Sequence, residues 1–242
     1  MKSFVSKAIF VAVAAFLLIS CLPDRDVLFT DSGMCTPIGR ERLQTDSGNI
    51  YNIVENDSGS LIPDTLKRIM ISCDVLSAVS GKSNEYNIRI IDFRGALCEE
   101  PVIASSIPLD TLGTDGVNVV QAWVSGGYLN SFLNVAMKKN SDTVHDINLL
   151  FDDFKSNADT LYLKMRHNSH GESPENPEES FNNLVFAGVY ASFPLDNILP
   201  IGGKYPVIHL EWDWYTDEYS PARVRNPPVP VTLKLNRPKG RT

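Results

Sequence analysis

Ile69-Met70-Ile71-Ser72-Cys73-Asp74-Val75 is the stretch that decides the fold. Successive side chains of an extended strand point to opposite faces, so Ile69, Ile71, Cys73 and Val75 share one face and Cys73 is expected in the core. His145-Asp146-Ile147-Asn148-Leu149-Leu150-Phe151 repeats the pattern, with Ile147, Leu149 and Phe151 on one side. Around the first stretch, further short extended runs at Asn49 to Val54 and Tyr86 to Phe93 alternate with turns, including Glu55 to Gly59 and Arg94-Gly95. Several strands in under sixty residues, without helical period, predict a small OB-like barrel over residues 46–104.

Beyond Pro108 the runs lengthen: Val117 to Ser125, Tyr128 to Met137, Thr143 to Phe151, Thr160 to His167, Leu184 to Phe193, Tyr205 to Tyr215 and Val229 to Asn236. Seven runs separated by turns predict an immunoglobulin-like antiparallel β-sandwich over residues 105–242. The fold class is therefore all-β. Residues 21–45, with Pro23, Asp24, Asp26, Gly33, Pro37 and Gly39 and no sustained apolar period, read as a tether.

Upstream of the tether, Lys2 and Lys7 flank the start of an apolar run from Ala8 to Ile19 that closes on Leu18-Ile19-Ser20-Cys21. A basic start, a short apolar segment and a small residue before a Cys describe a lipoprotein signal peptide over residues 1–20, too short for a lasting membrane span. Cys21 is the expected lipid attachment site: its thiol accepts a diacylglyceryl group and becomes the first residue of the mature chain. Two or more acyl chains, each contributing roughly 0.8 kcal/mol per buried methylene, hold a protein stably at a membrane.

Loss of residues 1–20 removes two lysines and no acid, so the formal net charge goes from −7 to −9 over 222 residues. Nucleic-acid binding rests on Lys and Arg neutralising phosphates, so nucleic acid is not an expected partner. Lipidation of one of the four cysteines leaves three, which cannot all pair within one chain. Cys35 and Cys98 could form a disulfide in an oxidising compartment, which spacing alone does not decide. No Cys/His spacing resembles a zinc site and no cofactor is expected.

Asn56-Asp57-Ser58-Gly59-Ser60-Leu61-Ile62-Pro63, Ala122-Trp123-Val124-Ser125-Gly126-Gly127-Tyr128-Leu129-Asn130, His145 to Leu149 and Leu163-Lys164-Met165-Arg166-His167-Asn168, in that order behind a lipoprotein start, resemble the NigD-like lipoproteins. The resemblance implies an OB-like domain followed by a β-sandwich in a cell-envelope protein of Gram-negative anaerobes. The family takes its name from a proposed immunity protein beside a bacteriocin. Asp24 and Asp26, just behind Cys21, resemble the signal that sends such lipoproteins to the outer face of the outer membrane, though Pro23 and Arg25 interrupt it.

Other motifs have a plainer reading beside a functional one. Asp-Ser-Gly occurs at Asp31, Asp46 and Asp57, and the first resembles an aspartic-protease half-site. That chemistry needs two carboxylates about 3 Å apart sharing a proton, whereas Asp-Ser-Gly also makes a good turn, and the turn is preferred. Gly81-Lys82-Ser83 ends like a phosphate-binding loop, but Leu76 stands where its first glycine belongs, so a polar hairpin loop is expected. His145, His167, His170 and His209 are the only histidines; with no nucleophile elbow, structural hydrogen bonding is expected of them rather than a hydrolase site. Trp212, Trp214 and Tyr215 sit among Glu211, Asp213 and Asp217 and could form a sugar-binding platform. Period-two alternation instead places both tryptophans on one sandwich face with Ile208 and Leu210.

Together these readings predict a non-enzymatic, lipid-anchored envelope protein, exposed at the outer membrane, that acts as an interaction module, with bacteriocin immunity as a special case. Its expected partners are the membrane through its lipid, and an envelope protein, a secreted peptide or a glycan. A carbohydrate-binding accessory lipoprotein is the alternative.

Overall fold

The computed structural model describes residues 26–157, 159–174, 176, 183–199, 207–217, 220–225 and 229–232. The signal peptide and Cys21 lie outside them. Five strands come first: β1 (Phe29–Gly39), β2 (Arg42–Thr45), β3 (Ile50–Asn56), β4 (Arg68–Ala78) and β5 (Glu85–Cys98). They pair in the order β3-β2-β1-β4-β5, and β3 also pairs in parallel with β5, from Ile50 opposite Glu85 to Asn56 opposite Ile90. That last pairing closes the sheet on itself, so the N-terminal unit is a five-stranded OB-like barrel. Closure leaves no edge between β3 and β5 for another chain to extend.

The alternation that opened the sequence reading sets the barrel interior. Ile69, Ile71, Cys73 and Val75 are buried together with Cys35, Leu43, Tyr51, Ile88 and Ile90. At one side of this core the Tyr51 hydroxyl donates to the Asp31 carboxylate, tying β3 to β1.

β5 is long enough to leave the barrel. Its last residues pair in parallel with β11 (Leu184–Pro194), Ala96 to Cys98 lying opposite Tyr190 to Ser192, so one sheet runs from the barrel into the C-terminal unit. There β11 continues to β8 (Tyr128–Lys138) and β7 (Val117–Ser125). The facing sheet has the order β15-β12-β10-β9-β6, from β6 (Val102–Ile103), β9 (Asp146–Phe151), β10 (Thr160–Asn168), β12 (Val207–Glu211) and β15 (Val229–Thr232). β13 (Asp213–Asp217) and β14 (Ser220–Arg225) form a separate antiparallel pair. The two larger sheets bury Val117, Leu129, Leu133, Leu149, Leu163, Phe193 and Leu210 among others between them, a β-sandwich. Its β7–β8, β8–β11 and β9–β10 pairs are antiparallel, while β10–β12, β5–β11 and β6–β9 are parallel.

Three local expectations are corrected. The stretch expected to be tether up to residue 45 already contains β1 and β2 from Phe29 onward. Only Met34 and Cys35 of β1 are fully buried, and Gly33, Pro37 and Gly39 break the apolar period; what makes it a strand is pairing with β4 on one side and β2 on the other. Asp31-Ser32-Gly33 is consequently extended chain rather than a turn. Arg94-Gly95 is likewise mid-strand, opposite Met70 and Ile69. A Cβ at position 95 would come within 2.9 Å of the Leu66 side chain, which would have to turn aside to admit it.

Barrel and sandwich are joined by buried polar chemistry as well as by β5. Arg68 of β4 is 1% exposed. Its Nη1 donates to Asp46 Oδ1 at 2.7 Å and Thr36 Oγ1 at 2.9 Å, and its Nη2 donates to Asp46 Oδ2 at 2.9 Å and Asn130 Oδ1 at 3.2 Å. Ser125 Oγ donates to the same carboxylate at 2.6 Å, Ser192 Oγ donates to Asn130 Oδ1 at 2.6 Å, and the guanidinium lies 4.2 Å from the centre of the Tyr128 ring. The turn that brings Ser125 and Tyr128 here contains Gly126 at φ +60°, where a Cβ would lie 2.5 Å from Asp46 Oδ1.

Removing one partner of such a pair leaves the other charge buried and uncompensated, at a cost of about 3–5 kcal/mol. Arg68→Ala is expected to lower the unfolding free energy by that amount in urea titration. Gly126→Ala is expected to destabilise through positive φ and the clash with Asp46, read as a lowered Tm. Val54→Ala, on the barrel exterior at 56% exposure, should move neither measurement appreciably.

Candidate functional site

A cleft of about 600 Å³ opens on the barrel wall between the β1–β2 turn, β3 and the β3–β4 connection. Its floor is Ile53 and Ile62, which pack against the barrel core and are thereby fixed. Its sides carry Val54 and Leu61, the latter 86% exposed. Burying a side chain such as Leu61 is worth about 1.5–3 kcal/mol, so leaving it in water is a standing drive toward contact. Arg40, Glu41, Glu55 and Asp64 also line the cleft. Arg40 Nε lies 3.7 Å from Asp64 and Glu55 lies 3.6 Å from Arg89. Three carboxylates against one lining guanidinium make the cleft unfavourable for phosphates, in keeping with the overall negative charge.

At the sandwich, β9 and β10 bring two of the four histidines together. His145 Nδ1 lies 3.0 Å from His167 Nε2, His167 Nδ1 lies 3.0 Å from the Gly116 carbonyl, and His145 Nε2 lies 3.3 Å from Glu172 Oε2. The backbone N–H of Lys138 donates to the same Glu172 oxygen at 3.0 Å, and Ser141 Oγ donates to Oε1. Burial, followed by the charge of His145, pulls His167 down to about 4 against the hydrogen bond to Gly116. Glu172 is held at about 2, because hydrogen bonds from Ser141, Thr143, Lys138 and His145 together outweigh its desolvation. His170 and His209 stand elsewhere: His170 Nε2 meets Asp146 Oδ2 at 2.9 Å on the exposed side, and His209 stacks on Tyr162 with ring centres 5.1 Å apart. The expected structural hydrogen bonding of His145 and His167 is what these strands build.

Of the residues singled out for sugar binding, the two tryptophans pack with the sandwich core, as the alternation expects. Trp212 is 8% exposed and belongs to the sandwich core, and Trp214 is half-buried against that core with its ring 5.5 Å from Phe186. Trp212 continues the inward alternation of Ile208 and Leu210. Tyr215 lies on β13 opposite Arg223. Cys35, Cys73 and Cys98 are free thiols; burial pushes Cys73 up to about 12 and raises Cys35 further, so neither barrel thiol is a nucleophile at neutral pH. Asp31 bonds Tyr51 and Ser32 rather than a second carboxylate. Among the described residues, no group of three or more His, Cys, Asp or Glu side chains is placed to hold a metal ion.

A closed five-stranded barrel that shares a strand with a two-sheet sandwich defines a class of two-unit β-proteins. Residues 101–225, just over half of the chain, match the NigD-like C-terminal beta sandwich domain, and the chain belongs to that family. Solved structures show the same fold. A protein of unknown function from Bacteroides vulgatus is 20% identical, with a TM-score of 0.61 over 86% of this chain and 92% of that one. A NigD-like immunity protein from Bacteroides caccae is 20% identical, with a TM-score of 0.57 over 85% and 97%. A proposed lipoprotein from Bacteroides fragilis is 14% identical, with a TM-score of 0.59 over 86% and 100%. Comparison with curated proteins gave no match.

The two shifted groups contribute to the acid limb of stability. An unfolded His binds its proton near pH 6.5, whereas His167 resists it until about 4, so between these values the unfolded chain holds more protons and stability falls as pH falls. Glu172 adds a second loss between about 4.5 and 2, because its stabilising charge disappears as it is protonated. Urea titrations between pH 6.5 and pH 3 should show the midpoint falling throughout, with the fall between pH 6.5 and 4 reduced in His167→Gln.

Proposed function

We propose that this protein is a lipid-anchored, non-enzymatic binding module of the cell envelope that receives a protein or peptide partner in the barrel cleft. Immunity against a bacteriocin is the special case in which that partner is the toxin or its receptor. The observation that carries the reading is the cleft itself: a fixed apolar floor with Val54 and Leu61 held out into solvent beside it. A partner side chain that covers Leu61 recovers hydrophobic free energy without first ordering the barrel wall, because Ile53 and Ile62 are already packed beneath it. Membership of the NigD-like family supports an immunity role, as does the likeness to the Bacteroides caccae protein described as a NigD-like immunity protein. The likeness to the proposed lipoprotein of Bacteroides fragilis supports an envelope location, as does the Cys21 signal. Among the described residues no helix is long and apolar enough to cross a membrane, so the lipid would be the anchor.

The reading is tested on intact cells. Cross-linking is expected to capture a defined protein with the wild-type chain and to lose it with Leu61→Asp. Burial of that side chain is worth about 1.5–3 kcal/mol, or about a tenfold to hundredfold loss of affinity. Leu61 makes little contact with the barrel, so the variant should keep the wild-type Tm. Cys21→Ala should move the protein out of the membrane fraction. A captured partner that Leu61→Asp leaves unchanged would show that binding uses another surface. A deletion strain as resistant to neighbouring producers as its parent would remove the immunity case.

A further inference from the structure

The hydrogen-bonded row at the end of the sandwich holds a countable number of protons. It runs from the Gly116 carbonyl through His167 and His145 to the Glu172 carboxylate, with spacings of 3.0, 3.0 and 3.3 Å. Both ends are acceptors: a carbonyl has no proton to give, and Glu172, held at about 2, is ionised at neutral pH. Each of the three links therefore draws its hydrogen from a ring nitrogen. Two neutral imidazoles carry two N–H groups between them, and three links need three. With only two, one link would set a lone pair against a lone pair, or against a carboxylate, among side chains 1% to 10% exposed.

We propose that His145 and His167 together hold one proton more than two neutral rings, as a buried monocation clamped between Gly116 and Glu172, and that losing this proton unlatches the β8–β9 connection and the chain after β10. The groups facing the pair fit a single positive charge. Glu172 pairs with His145; Ser141 and Thr143 from the β8–β9 connection, with the Lys138 N–H, hold Glu172 in place. Asp115, before β7, accepts from Ser169 N and Oγ at 2.7 Å, and Asp146 of β9 is occupied by His170. His167 resists protonation first because it is buried and then because of the charge of His145 beside it, so a second positive charge on the pair is disfavoured.

The sign of the pH dependence follows. Above about 6.5 the unfolded histidines are neutral while the folded pair keeps its proton. Stability is then lost as pH rises through the point where the pair releases it, just as it is lost on the acid side when the unfolded chain takes up a second proton. The latch is the segment this charge holds. Without the proton, two N–H groups must serve three links, so the row no longer closes between Gly116 and Glu172, and the 139–146 connection loses that support while Ser141 and Thr143 still bond the carboxylate.

The test is nitrogen-15 NMR on the full mature chain, counting ring-bound protons on the two histidines, with amide hydrogen exchange followed across pH. Three ring protons are expected at neutral pH, and two would overturn the proposal. As pH rises, the loss of the third should coincide with a loss of protection in residues 139–146. Protection unchanged across that loss would overturn the latch. Glu172→Gln removes the charge that retains the proton and should bring its release about one to three pH units lower. Release at the wild-type pH in that variant would also overturn the proposal. The wild-type count decides the question even if the variant does not fold.

Discussion

One buried guanidinium governs how this chain is put together. Arg68 bonds Thr36 of β1, Asp46 of the turn before β3, and Asn130 of β8, and stacks on Tyr128. Its partners thus come from both units, and Asn130 passes the network on to Ser192 of β11. A buried charge pair of this kind gains little over a well-packed apolar replacement, because desolvation absorbs most of the Coulombic attraction. Its effect lies in geometry. Leu or Met at position 68 could fill the space in many orientations, whereas a planar fork meeting a carboxylate on both nitrogens accepts only one. The angle between barrel and sandwich is therefore specified by this site together with the shared strand β5.

On the proposed function, that specification would keep the surface cleft on the barrel ready for a partner. A binding wall helps only if it does not have to be ordered when the partner arrives, since each ordered segment subtracts from affinity. β3 is paired to β2 over Ile50 to Asn52 and to β5 from Ile50 to Asn56 except at the irregularity between Ile53 and Glu55, so main-chain hydrogen bonds hold the wall on either side of Val54. The exposed Leu61 sits on the connection that follows, where Asn56, Ser58 and Ser60 bond one another locally, Asn56 Nδ2 reaching the Ser60 carbonyl at 2.9 Å. The Asp57-Ser58-Gly59 triplet is thus a turn with a purpose: it fixes the loop that presents Leu61.

The fold was legible where one face is buried and the other is not. Ile69 to Val75 and Ile147 to Leu149 alternate because one face of each strand lines a main core, although Leu150 on the other face of β9 joins a smaller cluster with Ala104 and Leu112, and β7 begins and ends where its apolar run does. β1 was not legible, because its order comes from neighbours on either side rather than from its own composition. The candidate sites divide the same way. Pairing of β9 with β10 was foreseeable from two adjacent extended runs, and with it the approach of His145 to His167. Glu172 was not, for it arrives from a loop whose acidic, proline-bearing sequence reads as solvated, and it is fixed by Ser141, which lies 31 residues away. Trp212 and Trp214 follow the period-two alternation that set them with Ile208 and Leu210, so here the spacing was a better guide than the aromatic content.

The early start of β1 also limits how far the barrel can stand from a membrane. The backbone N–H of Leu28 already bonds the Val75 carbonyl at 2.8 Å, so Leu28 moves with β4. Seven peptide units separate it from Cys21. At about 3.3–3.6 Å per residue their full extension is about 25 Å, less than the thickness of a bilayer. A lipid on Cys21 would therefore hold the barrel, not the sandwich, beside the headgroups, and would confine its cleft to a shallow layer over the membrane. On the proposed function, a partner reaching that cleft would itself be at the surface, and anchoring would act on encounter as much as on location. A receptor embedded in the same membrane, or a peptide gathered onto it, meets the cleft at a high effective concentration, and modest affinity per contact is then sufficient.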